Sequence, residues 1–105
     1  MPELKNRPTL IDFQNYVSEM EIERGFAHQT TIEKCLLLGE EVGELFKAVR
    51  KSEGMSVEVN SSISELEEEL ADVFIYLCEI ANRNYVDLEN AFQSKEEKNK
   101  KRTLK

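Results

Sequence analysis

Tryptophan is absent, histidine occurs once, and the 105 residues hold only four glycines, two prolines and two cysteines. Each shortage removes a class of protein. Both prolines fall within the opening stretch, at Pro2 and Pro8, so nothing from Thr9 onward is forced by proline to leave a helix. Cys35 and Cys78 sit in apolar runs without C-x-x-C spacing, which argues against a cysteine zinc site or a disulfide and predicts two buried, reduced thiols. The lone His28 has no acidic residue three positions before it, so the Glu-x-x-His pairs of di-iron bundles are excluded and His28 reads as a loop residue without a chemical role. No apolar run approaches the roughly 18 residues of a membrane span. No basic region leads into an apolar stretch after Met1, so a signal peptide is not expected and the reading is cytosolic.

Positive charge is also scarce over most of the chain. Fourteen Lys and Arg against 21 Asp and Glu give a net charge of −7. Residues 95–105 hold six basic and two acidic side chains, so this basic end carries +4 and the rest of the chain −11. An acidic body repels a phosphate backbone, so no stable nucleic-acid complex is expected, and metal cations become the natural partners. With 40 % apolar and 33 % charged residues, the chain is polar for a globular protein yet able to build a small core, and its length fits one domain spanning residues 1–105.

What is present is helical punctuation. Thr9 is placed to cap a first helix with Leu10, Phe13, Val17 and Met20 as its apolar stripe, ending near Gly25. Thr30 and Glu33 form a capping box that opens a second helix from Thr31 to about Lys51, with Ile32, Cys35, Leu38, Val42, Leu45, Phe46 and Val49 as apolar positions. Gly39 and Gly43 inside it invite a close approach to the backbone, either by a ligand or by another helix. Residues 52–62 read as the one substantial loop. Ser62 and Glu65 form another capping box, opening a third helix to about Asn82. Its stripe, Leu66, Leu70, Val73, Leu77 and Ile80, is widened by Phe74, Ile75, Cys78 and Ala81, so it must be covered on two sides and predicts a partner subunit. Asp87 caps a last helix that gives way to the basic tail from about residue 95. The expected fold is all-α: a four-helix, bundle-like domain packing in an oligomer.

The second helix carries Glu40, Glu41 and Glu44, and the third Glu69 and Asp72. At 3.6 residues per turn, Glu41 and Glu44 lie about 60° apart beside the Val42 and Leu45 stripe, as do Glu69 and Asp72 beside Leu70 and Val73. Packing those two faces antiparallel brings four carboxylates to one seam. Such a cluster is self-repelling unless a cation neutralises it, and Mg²⁺ or Mn²⁺ prefers oxygen donors of this kind. A solvated acidic face is the plain alternative, since Glu is a good helix former. At the basic end Lys95, Asn99 and Arg102 recur at i, i+4 and i+7 on one helical face, suited to phosphate oxygens, though a lysine-rich end also serves solubility alone.

These residues resemble the MazG-type, all-α nucleoside triphosphate pyrophosphohydrolases, whose pattern is E-E-x-x-E, a loop, then E-x-x-D. Here it reads Glu40 to Glu44 and Glu69 to Asp72, within Leu38 to Leu45 and Glu69 to Val73, and is closed by Lys95, Asn99 and Arg102 as K-x-x-x-N-x-x-R. The likeness runs from about Glu23 to Arg102. It implies hydrolysis of a nucleoside triphosphate between its α and β phosphates by a homodimer or tetramer, with Mg²⁺, or Mn²⁺ in its place, held by Glu41, Glu44, Glu69 and Asp72. It does not choose between Glu40 and Glu44 as the group that orients the attacking water. Lys95, Asn99 and Arg102 would meet the phosphates, and Tyr76, one turn beyond Asp72, either flanks the base or sugar or is an aromatic at the core's edge. Lacking tryptophan, the chain would have to draw any aromatic base platform from Phe13, Phe26 or Tyr76. Related families act on dUTP or phosphoribosyl-ATP, and a non-catalytic helical interaction module with acidic faces is the alternative from another class.

Overall fold

The computed structural model describes residues 1–54 and 63–103, and the described residues form four helices: α1 (Leu10–Arg24), α2 (Thr31–Ser52), α3 (Ile63–Arg83) and α4 (Leu88–Thr103). The caps explain the boundaries. Thr9 accepts from the Asp12 amide while the Asp12 carboxylate accepts from the Thr9 amide at 2.8 Å, and Thr30 and Glu33 repeat the exchange at 3.1 and 3.0 Å. Asp87 accepts from the Asn90 amide at the start of α4. The capping box expected at Ser62 lies outside the described residues, as does most of the expected loop.

Gly25 ends α1 at φ +80°, and the Phe26 amide behind it donates to the Glu21 carbonyl, so the chain turns within a few residues toward α2. A side chain at that dihedral is strained although nothing crowds the position. Gly25→Ala should therefore cost roughly 1 kcal/mol, seen as a lower urea midpoint with an unchanged slope.

α3 is the central rod, packed against both α1 and α2. Val17, Met20 and Cys78 form the buried core, with Phe13, Tyr16, Phe74, Ile75 and Leu88 around it, and the Phe13 and Phe74 rings meet edge to face at 5.3 Å. Burial pushes the Cys78 thiol up to about 11, so it packs as an inert apolar group. Cys35 departs from expectation: it is exposed, as are Ile32, Leu36, Phe46 and Val49. The apolar arc of α2 is wider than α3 can cover, and the side turned inward is the one carrying Lys34, Glu41 and Ala48. Gly39 and Gly43 have open space beside them within the chain.

The last helix also departs from expectation, because its basic residues are helical through Thr103 rather than forming a tail. Lys100, Lys101 and Arg102 in its final turn complement the negative end of the helix dipole, and no glycine or proline interrupts them. Gln14 aims this helix: its amide donates to Val86 O and Asn82 Oδ1, and its oxygen accepts from the Leu88 amide at 2.9 Å. α4 packs chiefly on α1, and the radius of gyration is 16.4 Å against roughly 13 Å for a compact chain of this length. A groove of about 750 Å³ lies between α3 and α4, lined by Phe74, Leu77, Val86 and Phe92. No helix among the described residues is long and apolar enough to cross a membrane.

Candidate functional site

Glu41 from α2 meets Glu69 and Asp72 from α3 across the seam, and one carboxylate oxygen of each lies within 4.8 Å of the others. The i, i+3 spacing puts both α3 groups on one turn, and the packing of α2 supplies the third. All three are half-buried. Burial pushes the Glu41 carboxyl above its ordinary range, and the charges of Asp72, Glu69 and Glu44, with a hydrogen bond to Glu69, push the same way. Glu69 Oε2 is buried without a hydrogen-bond partner, which is costly for a carboxylate acceptor. These observations fit a hard divalent cation: three oxygens this close can reach a single ion with bonds of about 2.0–2.6 Å, and the orphaned oxygen gains a partner.

Glu44 and Glu40 are not part of that triad. Glu44 is exposed and lines a neighbouring cavity of about 240 Å³ with Lys47, Ala48, Lys51, Glu65 and Glu69. Glu40 is exposed, near enough for its charge to act on Tyr76. Tyr76 lies where the spacing predicts: burial, then the charges of Glu79, Glu41, Asp72 and Glu40, raise its phenol. With Asp72, Phe26 and Met20 it lines a second cavity, of about 270 Å³, on the other side of the triad.

That second cavity is backed by charges that the sequence reading missed. Lys34, 3 % exposed, donates to Glu79 at 3.1 Å and pairs with Glu21 at 3.3 Å. Its ammonium also lies 5.3 Å from the centre of the Phe26 ring and 5.4 Å from that of Tyr76. Arg83 grips both oxygens of Glu21 at 2.7 Å and donates to the carbonyls of Gln29, Phe26 and Glu79. Burial works to raise Glu21, but Arg83 holds it below the ordinary range; burial and the adjacent Glu21 push Glu79 up against the pull of Lys34. A signal for this network existed. Lys34 stands seven residues before Glu41, and Tyr76, Glu79 and Arg83 follow Asp72 by four, seven and eleven, all on one face.

Lys95, Asn99 and Arg102 do not reach the triad within one chain. Lys95 and Asn99 flank the groove that Phe74 and Leu77 line, and those residues sit about 140–160° around α3 from Asp72 at 100° per residue. Arg102 is exposed on the same helix. The motif fixes a shared face on α4 but not the surface that the face meets.

Metal and pH should act oppositely on stability. Glu41 has a raised value in the folded state, so its contribution is present in acid and is lost as pH rises through that value. An ion on the triad needs the ionised form, so its stabilisation should grow in the direction in which the metal-free protein weakens. A hundredfold excess over Kd adds about 2.7 kcal/mol, on the order of 10 °C in a domain of this size. Melting curves with and without Mg²⁺ should diverge at neutral pH and converge on acidification. The Glu21 and Glu79 pair, common to both curves, cancels from the difference.

Comparison with known proteins agrees with this geometry. Residues 26–105 match the MazG nucleotide pyrophosphohydrolase domain; α1 precedes the matched stretch. Over 100 residues the chain is 37 % identical to dCTP pyrophosphatase 1 of Rattus norvegicus and to dCTP pyrophosphatase 1 of Mus musculus, covering 90 % of this chain and 59 % of each relative. The chain thus spans about three-fifths of the length of those curated relatives. With the triad and both flanking cavities built mainly from the matched stretch, the chain belongs to the MazG nucleotide pyrophosphohydrolase domain family.

Proposed function

We propose that this chain is a divalent-metal-dependent pyrophosphohydrolase that converts a nucleoside triphosphate to its monophosphate and pyrophosphate, in clearance of surplus or non-standard nucleotides in the cytosol. The carrying observation is the Glu41, Glu69 and Asp72 triad, whose Glu69 has a buried oxygen without a hydrogen-bond partner, beside a cavity of a size and lining suited to a base. Mg²⁺, or Mn²⁺ in its place, would be held there and would supply neutralisation of polyphosphate charge and activation of the attacking water. Glu44, which lines the neighbouring cavity with Glu69, would complete the acidic set or orient that water. Phe26 and Tyr76, tied by the Lys34 ammonium, wall the cavity for a planar ring. The names of the rodent relatives make dCTP the first substrate to try.

We further read the active form as a homodimer or tetramer, the whole chain acting as one domain. Leu70, Leu77 and Phe92 are 52, 44 and 68 % exposed, an apolar surface that α3 and α4 leave uncovered in a single chain. Such an arrangement would also be the way for Lys95, Asn99 and Arg102 to meet a triad, that of another subunit. Sedimentation equilibrium tests this directly: a monomer at micromolar concentration rejects it.

The decisive assay is a panel of standard and modified nucleoside triphosphates with pyrophosphate detection, run with Mg²⁺ and with chelator. Chelator-sensitive pyrophosphate release is expected. Release from none of the panel rejects the reading and favours the interaction module.

A further inference from the structure

The triad stands between two cavities of unlike chemistry along the α2 and α3 seam. One is walled by Met20, Phe26, Ile75 and Tyr76 and contains Lys34, already engaged by Glu21 and Glu79. The other has no aromatic lining, only Ala48 as an apolar wall, and two lysines, Lys47 and Lys51. A nucleoside triphosphate is itself polar in this sense, a flat ring at one end and a run of anionic oxygens at the other. From that match we infer that the substrate lies in one direction along the seam, base toward Phe26 and Tyr76, with its β and γ phosphates received by Lys47 and Lys51 of the same chain. The inference rests on the pyrophosphohydrolase reading and deepens it.

The linings, and not net charge, set this direction: the ring-walled cavity holds Arg24 and Lys34 against Asp72 and Glu79, and the lysine cavity holds Lys47 and Lys51 against Glu44, Glu65 and Glu69. Lys47 is exposed, and Lys51, its side chain 14 % exposed, pairs with Glu65 at 3.8 Å among its contacts, so a phosphate oxygen would join or exchange with carboxylate contacts there. Lys51 follows Glu44 by seven residues and Lys47 follows it by three, so both continue the face that leads away from the triad. A polyphosphate turned the other way would lie against the apolar and aromatic walls beside Asp72 and Glu79, with Lys34 committed to carboxylates and Arg24 as the other cation of that cavity. In the proposed direction, water oxygen bonds to the α-phosphorus as its bond to the bridging oxygen breaks. The electron pair leaves on pyrophosphate, beside the lysines, and the water proton passes to a carboxylate or solvent. Glu44, Glu65 and Glu69 line that cavity, so pyrophosphate should enter with its magnesium counter-ions and not bare.

The test measures binding of inorganic pyrophosphate and of dCMP by calorimetry in Mg²⁺, using the full chain and its Lys47→Ala, Lys51→Ala and Lys95→Ala variants. Each of the first two should weaken pyrophosphate about tenfold, the size of a lost charge-assisted contact, while dCMP binding and the melting temperature stay put. Lys51→Arg should restore much of the loss. Weakened dCMP with unchanged pyrophosphate reverses the direction and overturns the inference, as does loss of pyrophosphate binding in Lys95→Ala with Lys47 and Lys51 silent. A wild-type protein that hydrolyses nucleotides while both lysine variants bind pyrophosphate normally overturns the inference alone. A wild type that releases no pyrophosphate from any nucleotide and binds neither product sinks the functional reading as well.

Discussion

Glu41→Gln should lower pyrophosphate release by more than about a hundredfold, because even outer-shell partners of a metal typically matter about 10–100-fold and Glu41 is the sole α2 member of the triad. Its effect on stability should run the other way. Glu41 is raised by burial and by Asp72, Glu69 and Glu44, so the metal-free fold bears the work of ionising it at neutral pH. The amide removes that work and can donate to the lone Glu69 Oε2. The variant should therefore melt no lower than wild type without metal, yet gain far less on adding Mg²⁺. A pyrophosphate assay alongside melts with and without Mg²⁺ separates this from a folding defect. A variant that keeps full activity would show that the triad is a solvated acidic face and nothing more.

Glu69 and Asp72 were legible as neighbours because carboxylates three residues apart share one turn, but the same spacing placed Glu44 with Glu41, and Glu44 is exposed toward the neighbouring cavity instead of joining the triad. Thr9, Thr30 and Glu33 were legible for a similar reason, since a cap bonds over three residues; the reciprocal bond between Asp12 and Thr9 was not read. Lys34 was not, because a lysine in an amphipathic helix is ordinarily read as solvated. Its burial depends on Glu21 and Glu79, 13 and 45 residues away in sequence, and no local pattern pairs them. The same holds for Cys35 and Ile32, exposed because the breadth of α2's apolar arc does not say which part α3 will take. The placement of Lys95 and Asn99 turned on Gln14, whose side chain reaches 72 and 74 residues along the chain to fix the start of α4.

Arg83→Ala should be the most damaging single change to the fold, at about 3–5 kcal/mol, the range for leaving a buried charge without its partner. Glu21 is 3 % exposed, and Arg83 supplies two of its short contacts at 2.7 Å. Without the guanidinium, Glu21 must share Lys34 with Glu79, two buried carboxylates around one ammonium. The carbonyls of Phe26 and Gln29, which link α1 to α2, lose their donor at the same time. Arg83→Lys keeps the charge but cannot span both Glu21 oxygens and the carbonyls together, so it should recover only part of the loss. Urea titrations of the two variants test this, and a cost below about 1 kcal/mol for Arg83→Ala would show the network to be idle. Since Phe26 and Lys34 wall the cavity proposed for the base, Arg83→Lys should also raise KM for the nucleotide before it lowers kcat. The charge network would then serve the fold and the binding cavity through the same atoms.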